Sequence, residues 1–113
     1  MPMNLYENDK RSRPRIKQEF AVGVRTERGL NMVYTIDVSR VGVKVGSPLL
    51  LLTLGGQVVI EIDKREEKYP FSGRVVREDG NYYINRISRS VSAYFISIDD
   101  ERYSKFVNDN YFI

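Results

Sequence analysis

The chain has 113 residues, 42% hydrophobic and 29% charged, which suits one ordinary soluble domain with a single core. It has no cysteine and no histidine, so it lacks a disulfide framework, a thiolate metal site, a thiol nucleophile and the commonest general base, and catalysis is disfavoured. The net charge of +3 is gathered at one end: residues 1–30 hold seven basic and four acidic side chains, and Lys10 to Lys17 hold five basic residues and no acid. That placement points to an anionic partner met at one place, not to a surface coated for duplex DNA.

Residues 1–9 read as a flexible lead-in, rich in Asn4, Glu7, Asn8 and Asp9. The polar start from Met1 to Arg15 does not resemble a signal peptide, and the longest apolar run, Leu49 to Leu52, is too short to span a bilayer. A cytoplasmic protein with no membrane span is the expectation. Pro14 lacks an amide proton and biases Arg13 toward extended conformations, so the arm over residues 10–18 is expected to be non-helical, and the charged stretch around residues 8–17 to be mobile. From Glu19 onward β-type residues dominate. Phe20, Val22 and Val24 alternate with Ala21, Gly23 and Arg25 in a half-buried strand, turned at Glu27-Arg28-Gly29. Asn31 to Ile36 and Gly42 to Val45 are the next two strands, with a polar turn from Asp37 to Gly42 between them.

Gly46-Ser47-Pro48 and Gly55-Gly56 interrupt the pattern. Val58, Ile60 and Ile62 then mark a strand, and Asp63 to Lys68 a loop or hairpin tip. Phe71 to Arg77 and Tyr82 to Ile87 read as a pair of strands joined by an Asp-Gly hairpin turn at Glu78-Asp79-Gly80-Asn81. Ala93 to Ile98 is the last strand. Only the C-terminus has a helical period. Asp99 can cap a helix over about 100–110 whose one face carries Tyr103, Phe106, Val107 and Tyr111. Six or seven short strands and a terminal helix predict an all-β fold, a small antiparallel barrel with the helix packed on it.

Two strings carry the chemistry: Arg11-x-x-x-Arg15 ahead of the first strand, and Asp37-x-Ser39-x-x-Gly42 at the strand-to-strand turn. A guanidinium is a planar fork that bonds O6 and N7 of guanine, grips a phosphate or stacks on a base. Asp37 is an acceptor suited to N1–H and N2–H of a guanine edge, Ser39 adds a hydroxyl, and Gly42 permits close approach or a positive φ. Each residue also has a plainer use. Asp-x-Ser in a turn satisfies its own backbone, and a basic run serves as a solvated face.

The ordered pair resembles the PilZ domain, a bacterial receptor for cyclic di-GMP, and the likeness extends over nearly the whole chain. After Gly42, the strand at Val43 and Val45, the strand at Val58 to Ile62, Gly73-Arg74-Val75-Val76 and Tyr94-Phe95-Ile96 are similar to the family's pattern. The resemblance implies a six-stranded β-barrel with a C-terminal α-helix, a domain over residues 10–113 (arm 10–18, barrel 19–98), and a non-enzymatic receptor without cofactor or metal. It implies that Arg11 and Arg15 grip guanine and phosphate, that Asp37 and Ser39 bond a guanine edge, and that Gly42 shapes the turn. Lys10, Arg13 and Arg40 are possible additional contacts. Two departures stand out: Ser12 follows the first arginine where many members have a basic residue, and the bulky Arg40 precedes Val41 in the variable pair.

Family members take one cyclic di-GMP or an intercalated pair, and a stand-alone member acts on another protein, here an unidentified effector. The arm would close on the barrel when ligand binds, an order–disorder switch. Leu49 to Leu52 is a partner surface if exposed, with burial under the barrel the alternative. Two rivals remain. One is a basic barrel that binds single-stranded nucleic acid through Lys10 to Lys17 and stacking tyrosines, which leaves Asp37-x-Ser39-x-x-Gly42 unexplained. The other is a PilZ-type assembly protein without ligand, whose members typically lack the arginine string.

Overall fold

A computed structural model describes residues 15–16 (backbone only), 19–48 and 52–112. The strands are β1 (Arg15–Ile16), β2 (Ala21–Thr26), β3 (Gly29–Ser39), β4 (Gly42–Gly46), β5 (Gln57–Lys64), β6 (Glu67–Ile84) and β7 (Arg89–Ile98), followed by helix α1 (Glu101–Tyr111). Every pairing is antiparallel. The order β3-β2-β5-β6-β7-β4 returns to β3 through the β3–β4 pairing, so six strands close into a ring and β1 adds to β3. Closure leaves no long unpaired edge within the ring.

Alternation fills the interior. Val22, Val24, Val33, Val38, Val43, Val45, Val58, Ile60, Ile62, Val75 and Ile96 are buried together, as period-two strands with one apolar face require. Helix α1 covers this core with Tyr103, Phe106 and Val107. Phe71 meets Tyr103 edge-on, ring centroids 5.2 Å apart, and Tyr111 stacks on Phe20 at 5.2 Å. Leu49 to Leu51 lie outside the described residues, while Leu52 is half-buried against the core. No described helix is long and apolar enough to cross a membrane.

Three local expectations are corrected. Glu78 to Asn81 is not a hairpin turn. β6 runs through it, pairing Glu78 with Tyr94 and Asn81 with Ser92, and its extra residue is taken up as a bulge with Gly80 at φ 80°. The real turn lies between Ile84 and Arg89, so Phe71 to Arg77 and Tyr82 to Ile84 belong to one strand. The Asp37-to-Gly42 turn is shorter than expected: pairing of Ser39 with Gly42 extends β3 and leaves only Arg40-Val41 as the turn. Finally, Asp100 caps the helix in place of Asp99. Its extended backbone (φ −146°, ψ 119°) precedes the first helical residue, and its side chain accepts from Arg102 N at 3.0 Å. The hairpin tip expected within Asp63 to Lys68 is a two-residue turn, Arg65-Glu66, between paired Lys64 and Glu67.

Candidate functional site

The β3–β4 hairpin carries the second string. A bulge at Ile36, between Thr35↔Val45 and Asp37↔Lys44, resets the alternation of β3. Val38 consequently enters the core, and Asp37 and Ser39 flank it on the outer face, yet both are buried, at 6% and 3% exposure. Ser39 Oγ accepts from Val41 N at 3.3 Å and donates to Gly42 O at 3.4 Å, which ties the two-residue turn to itself. Tyr103 OH also donates to Gly42 O, at 2.8 Å, fastening the corner to α1. Gly42 serves close approach: a Cβ there would lie 2.4 Å from Ile96 O and 2.6 Å from Phe95 Cζ.

The first string meets this hairpin through β1. Arg15 pairs with Ser39 and Ile16 with Val38. Because β4 holds one edge of β3 at these residues, β1 takes the other, the edge that β2 holds farther along. The backbones of Arg15 and Ser39, 24 positions apart in sequence, are therefore neighbours. Arg11, Lys10 and Arg13 lie outside the described residues. Where the chain enters β2, it is clamped. Glu19 Oε2 accepts from Asn85 N at 3.0 Å and Oε1 from Arg86 N at 3.1 Å, bonds led by that from Asn85 that hold the Glu19 carboxyl below its usual range. Phe20 and Thr35 exchange backbone and side-chain bonds of 2.9 and 3.1 Å.

Arg40 is directed to the helix. Its Nε donates to Asn108 Oδ1, and its guanidinium carbon sits 4.3 Å from the Phe112 ring centre. It thus braces the turn against α1.

Sequence reasoning missed a group beside Asp37. Across the outer face, register sets Asp37 opposite Lys44, Lys44 opposite Phe95, and Phe95 opposite Arg77. Lys44 Nζ lies 3.1 Å from Asp79 Oδ2 and 4.0 Å from Asp37 Oδ2, and donates to Tyr82 OH at 2.9 Å. Arg77 Nε bonds Asp79 Oδ1 at 2.6 Å, and its guanidinium rests 4.6 Å from the Phe95 ring centre. Burial pushes the Asp79 carboxyl up, but hydrogen bonds and charge from Arg77 and Lys44 outweigh it and hold the carboxyl below its usual range. The only sequence signal for this cluster was the apolar–Lys–apolar pattern Val43-Lys44-Val45, which puts a lysine on the outer face of a wholly buried strand. Among the described residues, no group of three or more His, Cys, Asp or Glu side chains could hold a metal.

A corner with a carboxylate, a hydroxyl and an arginine-bearing strand beside them can donate to and accept from a polar planar ligand edge. Known proteins share this framework. The PilZ domain of YcgR from Escherichia coli with c-di-GMP superposes with a TM-score of 0.72 at 10% identity, covering 92% of this chain and 90% of that one. The MrkH–c-di-GMP complex of K. pneumonia gives 0.65 at 12% identity, and the Bacillus subtilis inhibitor of motility, MotI/DgrA, 0.63 at 11%. These cover 88% and 89% of this chain, which spans about half of each of them, 51% and 48%. Among curated proteins none matches the sequence. The profile of the PilZ domain matches residues 9–108, nearly the full length, and the chain belongs to the PilZ domain family.

Proposed function

We propose that the protein is a cyclic di-GMP receptor that binds its ligand without turning it over, in the cytoplasm. Arg11 and Arg15 supply the guanidinium groups, Asp37 accepts from a guanine edge, Ser39 adds a polar contact and Gly42 keeps the corner open. Lys10 and Arg13 add phosphate contacts, and a long cation just before Arg11 suits the charge of an intercalated pair. Arg40, braced on α1, would have to leave the helix to reach ligand. The observation that carries this reading is the register of β1, which sets Arg15 beside Ser39. Family membership and the c-di-GMP complexes among the structural neighbours support it.

Residues 10–18 act as the arm of a domain that includes the barrel at 19–98. With Arg15-Ile16 already paired to β3, ligand draws the part of the arm ahead of β1 onto the corner, and the combined surface of arm, ligand and barrel is offered to an effector protein. The description of MotI as an inhibitor of motility supports an output of that kind.

Isothermal titration with cyclic di-GMP tests the reading. Binding is expected, and Arg15→Ala should weaken it by about 1–3 kcal/mol, the worth of a good bidentate contact. No binding by the parent chain, or an Arg15→Ala affinity within about twofold of it, would refute the assignment.

A further inference from the structure

Lys44 is 5% exposed, on the outer face of β4 between the core residues Val43 and Val45. Taking an ammonium out of water costs several kcal/mol, and a buried ion pair returns little net stability relative to apolar residues of equal volume. A reason other than stability is therefore needed, and its position supplies one. Lys44 stands directly opposite Asp37 in the β3–β4 register. Its hydrogen bonds go to Asp79 and Tyr82, at 3.1 and 2.9 Å, and the Tyr82 ring centre is 4.5 Å from Nζ. Arg77 holds Asp79 from the far side. Fixed by these groups, the ammonium acts on Asp37 across 4.0 Å, by charge rather than by a close hydrogen bond.

We infer that Lys44, itself held by Asp79 and Tyr82 with Arg77 behind Asp79, is the positioning residue of Asp37 for the guanine edge. This rests on the cyclic di-GMP reading. A carboxylate that takes N1–H and N2–H together must hold both oxygens in the plane of the base, and rotation about its last torsion loses one bond. A fixed positive charge near Oδ2 makes the two oxygens unequal and selects one orientation. Because Asp79 and Tyr82 engage the lysine's hydrogen bonds, the charge orients Asp37 without closing on it.

A double-mutant cycle over Lys44→Met and Asp37→Ala, read by titration calorimetry with cyclic di-GMP, tests the inference. Circular dichroism confirms that each variant is folded. Lys44→Met should weaken binding about tenfold in the parent and less than about twofold in the Asp37→Ala background. Equal losses in both backgrounds would reduce Lys44 to a support of the fold, and no loss in the parent would remove its role outright; either result overturns the inference. If Lys44→Met melts below the assay temperature, Lys44→Gln, which removes the charge and keeps an N–H donor one bond shorter, replaces it in the same cycle. A parent chain that does not bind refutes the receptor reading itself, whereas a binding parent with an unaltered Lys44 variant refutes only the positioning role.

Discussion

At Gly42 an added methyl would meet two different neighbours, Ile96 O at 2.4 Å and Phe95 Cζ at 2.6 Å. The ring can turn; the carbonyl belongs to β7 and is held by sheet pairing. Gly42→Ala should therefore destabilise the protein by about 2–3 kcal/mol, read as a lower urea midpoint with unchanged slope. Shortening Phe95 to Leu in the same chain should restore little, because only one of the two clashes is relieved. Full recovery in the double variant would show that the ring, not the backbone, dictates glycine here. The spacing of Asp37, Ser39 and Gly42 was legible in the sequence because all three lie on one hairpin within six residues. Lys44, Asp79 and Tyr82 were not, since sheet register alone joins them and no local spacing encodes it.

Among the elements, strands were legible by alternation wherever one face meets the core, as in β2 and β5. Turns were less so, because the same glycine serves a reversal or a bulge. Asp79-Gly80 has the composition of a hairpin turn, but the ion pairs of Asp79 to Lys44 and Arg77 favour continuing β6 along β7. Conversely, the two-residue turn between β5 and β6 uses residues with no such signature. Arg65 and Glu66 stand at φ 54° and 68°, the left-handed region at both central positions. Side chains with a Cβ are disfavoured there by about 1 kcal/mol each. Replacing the pair by Asn-Gly should raise the melting temperature by about 4 °C or more. The same exchange at Glu27-Arg28, where neither residue has positive φ, should bring no gain. Equal gains at both turns would mean that the effect is not one of backbone conformation.

For the molecule as a whole, ring and helix depend on one another. α1 buries Tyr103, Phe106 and Val107 against the strands, and the Tyr103 hydroxyl reaches through to Gly42 O on the β3–β4 corner. Helix docking and the geometry of the candidate site are thus set by the same buried phenol. Its proton is held tightly: burial first, then the Tyr111 and Asp37 charges, pushes the Tyr103 hydroxyl well above the ordinary 10.0. The unfolded chain keeps the ordinary value, so above about pH 10 it releases a proton that the folded chain retains. The stability tied to this group is complete below that pH and is lost progressively as the pH rises toward the folded value. Burial raises Tyr111 as well, and burial with the neighbouring Glu67 raises Tyr69, so among the described residues the alkaline loss has three sources. Tyr103→Phe should be less stable at neutral pH by about 1–2 kcal/mol, having left Gly42 O without its phenolic donor. Between about pH 9 and about pH 11 it should also lose less stability than the parent, because one of the raised phenols, the most deeply buried of them, is gone. Parallel melting curves across that range would mean that Tyr103 ionises as readily in the folded protein as in the unfolded one, and the helix would then not be locked to the corner through this hydroxyl.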